Sequence, residues 1–248
     1  MDWTDDGIVI AARKHGESAV ILSLLTREHG RHAGLVRGGA SSRARGLYQT
    51  GNLLRASWRG RLAEHLGSFS CEMLRGYAGP LLDDPQRLGA LGAFCALLER
   101  ALPEREPHPA LFDDSLHLLD LLSVPAAGVG ADQWAPAYVR WELALLGDMG
   151  YGLDLTCCAV TGETDGLAFV SPNTGRAVTA AAAEPWRDKL LRLPDFLQEG
   201  GDAYGAAADL AAVRDGLALT GWFLERHVFA PQNLNLPAAR TRFVEAFR

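Results

Sequence analysis

Strand-like runs of β-branched and aliphatic residues fill the first third of the chain. Residues 7–14, 19–26 and 31–37 form three such runs, parted by His15-Gly16-Glu17 and Glu28-His29-Gly30. Breaks this short, each carrying glycine, predict an antiparallel three-strand meander. Residues 52–58 and 66–77 supply two more strands. In the second, Phe69, Cys71 and Met73 alternate with Ser70, Glu72 and Leu74, the period of a half-buried strand. Five short strands in this length predict a small closed barrel, and the five-stranded OB-fold is the commonest barrel of that size that binds oligonucleotides.

After Gly79-Pro80 the period becomes helical. Asp84 followed by Pro85 reads as an N-cap with proline at the first helical position. Leu88, Leu91, Cys95, Leu98 and Leu102 then recur at helical spacing. Leu111, Leu118, Leu119 and Leu122 mark a second helix. A third, capped by Asp132, carries Trp134, Tyr138, Trp141, Leu145 and Met149 on one face and ends at Gly150. Residues 155–180 lose the periodicity and read as a loop or small hairpin module. Helices resume over 180–193, about 206–229 and 237–247. The fold class is α+β multidomain: a five-stranded OB-fold barrel at 1–78, then a mostly α-helical domain at 79–248.

Charge divides along the same line. The first 78 residues carry 11 Lys and Arg against 7 Asp and Glu, whereas the other 170 carry 13 against 23. The formal net charge of −6 therefore hides a basic end. Its densest run, from Val36 to Arg45, places Arg37, Arg43 and Arg45 among glycines and serines. Glycines let backbone N–H groups approach phosphates, and arginine forks onto them. Arg13, Lys14, Arg31, Arg55, Arg59 and Arg61 add charge to the same small domain, and Trp3, Tyr48 and Trp58 lie near these positions. Two of the three rings are expected in the barrel core. Trp58, between Ser57 and Arg59, is the candidate for stacking on bases.

Other chemistry is sparse. The chain has no P-loop, no G-x-S-x-G elbow and no H-E-x-x-H. Gly147 to Gly152 follows a helix, so it reads as a helix end, not a nucleotide loop. Asp113, Asp114, His117 and Asp120 share a helical face, either solvated or holding a metal. The four cysteines (Cys71, Cys95, Cys157, Cys158) show no disulfide-scaffold spacing and are expected as reduced thiols. No apolar run approaches the roughly 18 residues that span a bilayer, and the acidic start, Met1 to Asp6, has no signal-peptide pattern. The expectation is a cytoplasmic protein without cofactor or catalytic centre.

The ordered set of motifs resembles a known family. Arg13-Lys14-His15-Gly16-Glu17, Thr26-Arg27-Glu28-His29-Gly30 and Val36-Arg37-Gly38-Gly39 resemble the N-terminal domain of the bacterial recombination mediator family RecO. The stretch from Trp141 to Tyr151 leading to Cys158, then Ser171-Pro172, Gly175 to Val178 and Arg240 to Phe243, is similar to the rest of that family. The resemblance implies a non-enzymatic DNA-repair protein of the RecF pathway, nucleoid-associated when on DNA. It implies binding to single- and double-stranded DNA, annealing of complementary strands, and recombinase loading onto DNA coated with single-strand DNA-binding protein. It implies RecR as partner. By position, Arg37, Arg43 and Arg45 inherit DNA contact, joined by Arg13, Arg31 and Arg59.

One departure stands out. Some relatives hold zinc with two CxxC pairs. Here the corresponding positions read Cys158, Thr161, Thr179 and Ala182, and structural zinc takes four ligands. The degenerate hairpin at 155–180 is expected to stand without metal, packed through Leu167, Phe169 and Val178. The acidic helical domain is expected to dock proteins, with Arg240 and Arg242 either clamping an acidic tail or forming an exposed basic helix end. Two other readings remain: a barrel that binds protein or oligosaccharide, and a metal-dependent hydrolase using Asp113, Asp114 and His117.

Overall fold

Strand β1 (Asp2–His15) is long enough to pair with two neighbours, and this is what closes the barrel. It pairs antiparallel with β2 (Ala19–Thr26) through its second half and with β4 (Leu53–Arg59) through its first. β2 pairs with β3 (Gly30–Val36), β4 with β5 (Ser68–Arg75), and β3 meets β5 in parallel at Leu35 and Ser68. The closed order β1-β2-β3-β5-β4 is that of an OB-fold. In this computed structural model, residues 1–62, 64–124, 130–198 and 208–247 are described, all but the Arg43 side chain.

The barrel core follows from alternation. Leu54, Ala56 and Trp58 of β4 point inward with Val9, Leu22, Leu24, Val36 and Phe69, while Arg55, Ser57 and Arg59 point out. Each fully buried aliphatic or aromatic side chain contributes roughly 1.5–3 kcal/mol. The run after β3, expected as a loop, contains one helical turn, α1 (Ser42–Arg45). Ser41 caps it, its hydroxyl accepting the Ala44 N–H at 3.3 Å. Leu47 and Tyr48 follow and pack on the barrel core.

Two helices pack with the barrel. α2 (Pro85–Ala101) starts as expected, Asp84 accepting the N–H groups of Gln86 and Arg87, and it lies along β1. α3 (Pro109–Ser123) follows. The buried Arg87 donates to Leu122 O at 2.8 Å and to Val124 O, capping the C-terminal end of α3. The compact unit holding the barrel runs through Met1–Val124 and adds Pro237–Phe243, so it takes in the first two helices of the region after Ala78.

The second unit is Pro125–Leu236 with Val244–Arg248. α4 (Ala131–Asp148) is capped by Gly130, with Asp132 in its first turn and not at the cap. Its end is a Schellman motif: Gly150 N–H bonds Gly147 O, Tyr151 N–H bonds Leu146 O, and Gly150 takes φ +84°. A small sheet follows, β6 (Leu167–Val170) flanked by β7 (Ala177–Thr179) and β8 (Leu191–Arg192). The single helix expected at 180–193 is instead α5 (Ala180–Ala183), a 3₁₀ segment Glu184–Lys189 and β8. Pro185 removes a donor there, and pairing of Leu191 with Val170 draws the chain into the sheet. α6 (Leu210–Phe223) continues into a π-helical turn, Leu224–Phe229. The expected helix start at Ala206 lies outside the described residues. α7 (Ala238–Glu245) ends the chain. No helix among the described residues is long and apolar enough to cross a membrane.

Candidate nucleic-acid interface

The β1–β2 turn and the segment after β3 are tied together by one backbone bond, Ala40 N–H to Ser18 O at 3.0 Å. Between them lies an open groove of about 510 Å³, lined by Lys14, Glu17, Gly39, Ala40, Arg45 and Tyr48 with two apolar neighbours. Gly38 adopts φ +71°, a conformation that glycine takes without strain, which lets the chain turn directly after Arg37. Small residues at the groove wall leave room for a backbone to approach. Burial raises the Tyr48 hydroxyl above its ordinary value, so it stays neutral and can donate.

The structure sorts the cations of the barrel domain into two groups. Arg13 pairs with Glu99 at 2.5 Å, Arg75 with Asp120 at 2.5 Å, Arg27 with Asp113, Arg55 with Asp6, and Arg59 with Asp2 at 3.8 Å. Arg31 is the most committed: its Nε donates to Leu102 O at 2.8 Å and its guanidinium reaches Glu104 at 3.3 Å. Lys14, Arg37, Arg45 and Arg61 are exposed and have no ion-pair partner among the described residues. Free cations bind phosphate without first giving up a carboxylate. Lys14 and Arg45 line the groove, with Arg37 two residues before its Gly39 wall, and these three form the candidate site, while Arg13, Arg31 and Arg59 hold other groups. The side chain of Arg43 lies outside the described residues.

A larger cavity of about 660 Å³ opens across β1, β4 and β5, lined by Thr4, Ser57, Ser68, Ser70 and the Asp2–Arg59 pair. It offers hydroxyls but no unpaired cation, so it is the poorer phosphate site.

Trp58 requires a correction. It is 2% exposed, within the barrel core, and its Nε1 donates to Leu66 O at 3.0 Å. It is not the exposed ring expected, because the β4 alternation that sends Arg59 outward sends Trp58 inward, where only the part of it that lines the neighbouring cavities is reached. Trp3 and Tyr48 are the half-buried rings. The acidic face of α3 is also accounted for: Asp113 holds Arg27, and Asp120 holds Arg75 and accepts the Tyr77 hydroxyl at 2.7 Å. Among the described residues no three His, Cys, Asp or Glu side chains are placed to share a metal. Arg240 is buried, so it does not form an exposed clamp with Arg242.

The degenerate cysteine module has its own geometry. Leu167, Phe169 and Val178, expected to pack the hairpin, are all buried. Cys158 Sγ accepts the Thr179 N–H at 3.4 Å and lies 3.7 Å from the Thr179 hydroxyl. Burial pushes this thiol up, but hydrogen bonds from the Thr161 hydroxyl and from the N–H groups of Thr179, Thr161 and Val160 bring it down to about 6. One thiol and two threonine hydroxyls do not fit a structural zinc ion. The corner of the hairpin is filled by these hydrogen bonds.

Residues that the sequence reading passed over also matter. Asn52 looked only like the start of a strand, yet its side chain bonds two other segments. His29 and His32 looked like turn and strand residues, yet they join Trp3 and Trp58 in a ring cluster.

Together these features define a protein class: an oligonucleotide-type OB barrel, with unpaired cations on one groove, followed in sequence by an α-helical unit. The family model for the N-terminal region of recombination protein O matches residues 1–77, and that for its C-terminal region matches residues 82–235. The DNA repair protein RecO of Rhodospirillum centenum is 54% identical over 250 residues, spanning 100% of this chain and 95% of that protein. That of Rhodospirillum rubrum is 53% identical over 248 residues, spanning 100% and 97%. That of Methylobacterium nodulans is 50% identical over 247 residues, spanning 98% and 97%. The chain belongs to the RecO family of recombination mediators in DNA repair.

Proposed function

We propose that this chain holds single- and double-stranded DNA through the groove between the β1–β2 turn and the α1 segment. It anneals complementary strands and helps load recombinase onto DNA coated with single-strand DNA-binding protein, acting with RecR in the cytoplasm. The supporting observation is that Lys14, Arg37 and Arg45 are free of carboxylates while most neighbouring arginines are not. Cations that neutralise phosphates on two strands reduce strand repulsion without reading sequence. No covalent step is needed, so the proposed role is that of a binding protein and not an enzyme.

The test is DNA binding and strand annealing across a salt series, wild type beside an Arg37/Arg43/Arg45→Ala variant. Each lost phosphate contact should flatten the log–log salt slope by roughly 0.7–0.9. Unchanged affinity at low salt would reject the groove and favour a protein-binding barrel.

A further inference from the structure

One end of the barrel is closed by rings. Trp3, Trp58 and Phe69 are cross-strand neighbours on β1, β4 and β5. Trp3 stacks on His29, with centroids 4.1 Å apart and planes 8° from parallel, and lies 5.8 Å from Trp58 at 16°. His32 meets Trp3 and Trp58 edge-on, at 5.1 Å and 5.0 Å. A cavity of about 220 Å³ opens here, walled by Trp3, His29, His32 and Trp58, with Glu28 and Arg105 at its polar margin.

The imidazole of His32 is the anomaly. It is 4% exposed, and both ring nitrogens are buried with no hydrogen-bond partner among the described residues. Burial, reinforced by the positive charge of Arg105 and by His29, lowers its pKa to about 4, so at neutral pH it is uncharged. A neutral imidazole offers one N–H donor and one nitrogen acceptor. An orphaned buried polar group costs about 1–3 kcal/mol, so a group that reached either nitrogen from the cavity and paired with it would be favoured.

Size narrows the class. The cavity would hold roughly seven waters at liquid density, and it lies below the roughly 300–1,000 Å³ of drug-sized pockets. Its scale is that of a single ring system. Walls of aromatic rings with one donor and one acceptor suit a flat heteroaromatic group with a hydrogen-bonding edge. The β4–β5 loop flanks the site. It presents Leu62 and Leu66 to solvent, its Leu66 carbonyl holds Trp58, and it carries the unpaired Arg61. That loop is one of those framing the ligand face of an OB-fold.

We infer that the ring-walled cavity beside His32 takes one unstacked nucleobase of bound single-stranded DNA. The inference rests on the DNA-binding reading above and assigns a second, base-directed contact distinct from the phosphate groove. Arg61, exposed on the same loop, is the cation this inference assigns to the phosphate next to the inserted base.

The test is fluorescence anisotropy at fixed salt with two labelled strands of equal length, oligothymidylate and a fully abasic strand. Wild type should prefer the strand with bases by about 10-fold, within the range of one base–aromatic contact. His32→Phe, which keeps a ring but removes both polar edges, should shrink that preference to under 2-fold. Arg37/Arg45→Ala should weaken both strands alike. Equal binding of the two strands by wild type overturns the pocket, and needs no variant to fold. Retention of the full preference in His32→Phe overturns the role of His32. Failure of wild type to bind either strand would instead reject the DNA-binding reading itself.

Discussion

The side-chain oxygen of Asn52 accepts the backbone N–H of Tyr77 at 3.1 Å. The same oxygen takes the Ala78 N–H at 3.2 Å, while the amide nitrogen donates to Gly46 O at 2.8 Å and Leu47 O at 3.3 Å. One buried amide thus fixes the exit of β5 against the segment that follows α1. It is the only described side chain that bonds both segments, and it holds the arginine-bearing turn to the barrel.

Asn52→Ala should therefore cost more than a typical surface change. Four backbone groups lose their partner, and buried groups left unpaired cost about 1–3 kcal/mol each, less where water enters. The expected loss is about 3 kcal/mol, read as a lower urea midpoint with an unchanged slope. A loss below 0.5 kcal/mol would mean that water replaces the amide freely.

The sorting of arginines makes a second prediction, about which charges bind and which fold. Arg31→Ala removes a half-buried donor to Leu102 O and an exposed ion pair to Glu104. It should lower stability by about 1–2 kcal/mol and leave the salt slope of DNA binding near wild type. Arg37→Ala and Arg45→Ala should do the reverse, flattening the slope by roughly 0.7–0.9 each with little change in melting temperature. If Arg31→Ala flattens the slope as much as Arg37→Ala, the ion pairs in the free protein are not a guide to its DNA contacts.

Much of this was legible in the chain, and the exceptions share one cause. The five strands and the Asp84–Pro85 helix start follow from local period and capping, which are properties of neighbouring residues. The partners of Arg13, Arg27, Arg31 and Arg75 lie at Glu99, Asp113, Glu104 and Asp120, on or after α2, and only the packing of helices on the barrel reveals them. The same holds for β8, whose strand identity depends on Val170 twenty-one residues earlier. Trp58 is different. Its burial was readable from Leu54 and Ala56 at two-residue spacing, and the adjacent Arg59 was the wrong guide.

Gly216 shows how packing overrides propensity. It sits inside α6, where alanine would ordinarily be worth about 1 kcal/mol more than glycine. A Cβ here would lie 2.9 Å from Val139 Cγ1 and 3.1 Å from Phe196 Cζ. Overpacking of this kind costs about 1–3 kcal/mol. Gly216→Ala should therefore destabilise by about 1 kcal/mol net, and Val139→Ala in the same chain should recover part of it. A stabilised single variant would show that α4 can move aside at no cost.

The buried imidazole of His32 sets a pH dependence whose sign can be fixed. Its folded pKa, about 4, lies below the ordinary 6.5. Between those values the unfolded chain binds a proton that the folded chain refuses, so stability rises with pH across that window. The contribution is complete above pH 6.5 and is lost as pH falls toward 4. Carboxylates elsewhere titrate in the lower part of the same range, so the informative quantity is the difference between wild type and His32→Phe. His32→Phe should lose less stability than wild type between pH 6.5 and 4.5, seen as a urea midpoint that falls less steeply with acid. Parallel curves for the two proteins would mean that His32 gains its proton as readily folded as unfolded, and so that its ring nitrogens are reached by water in the free protein.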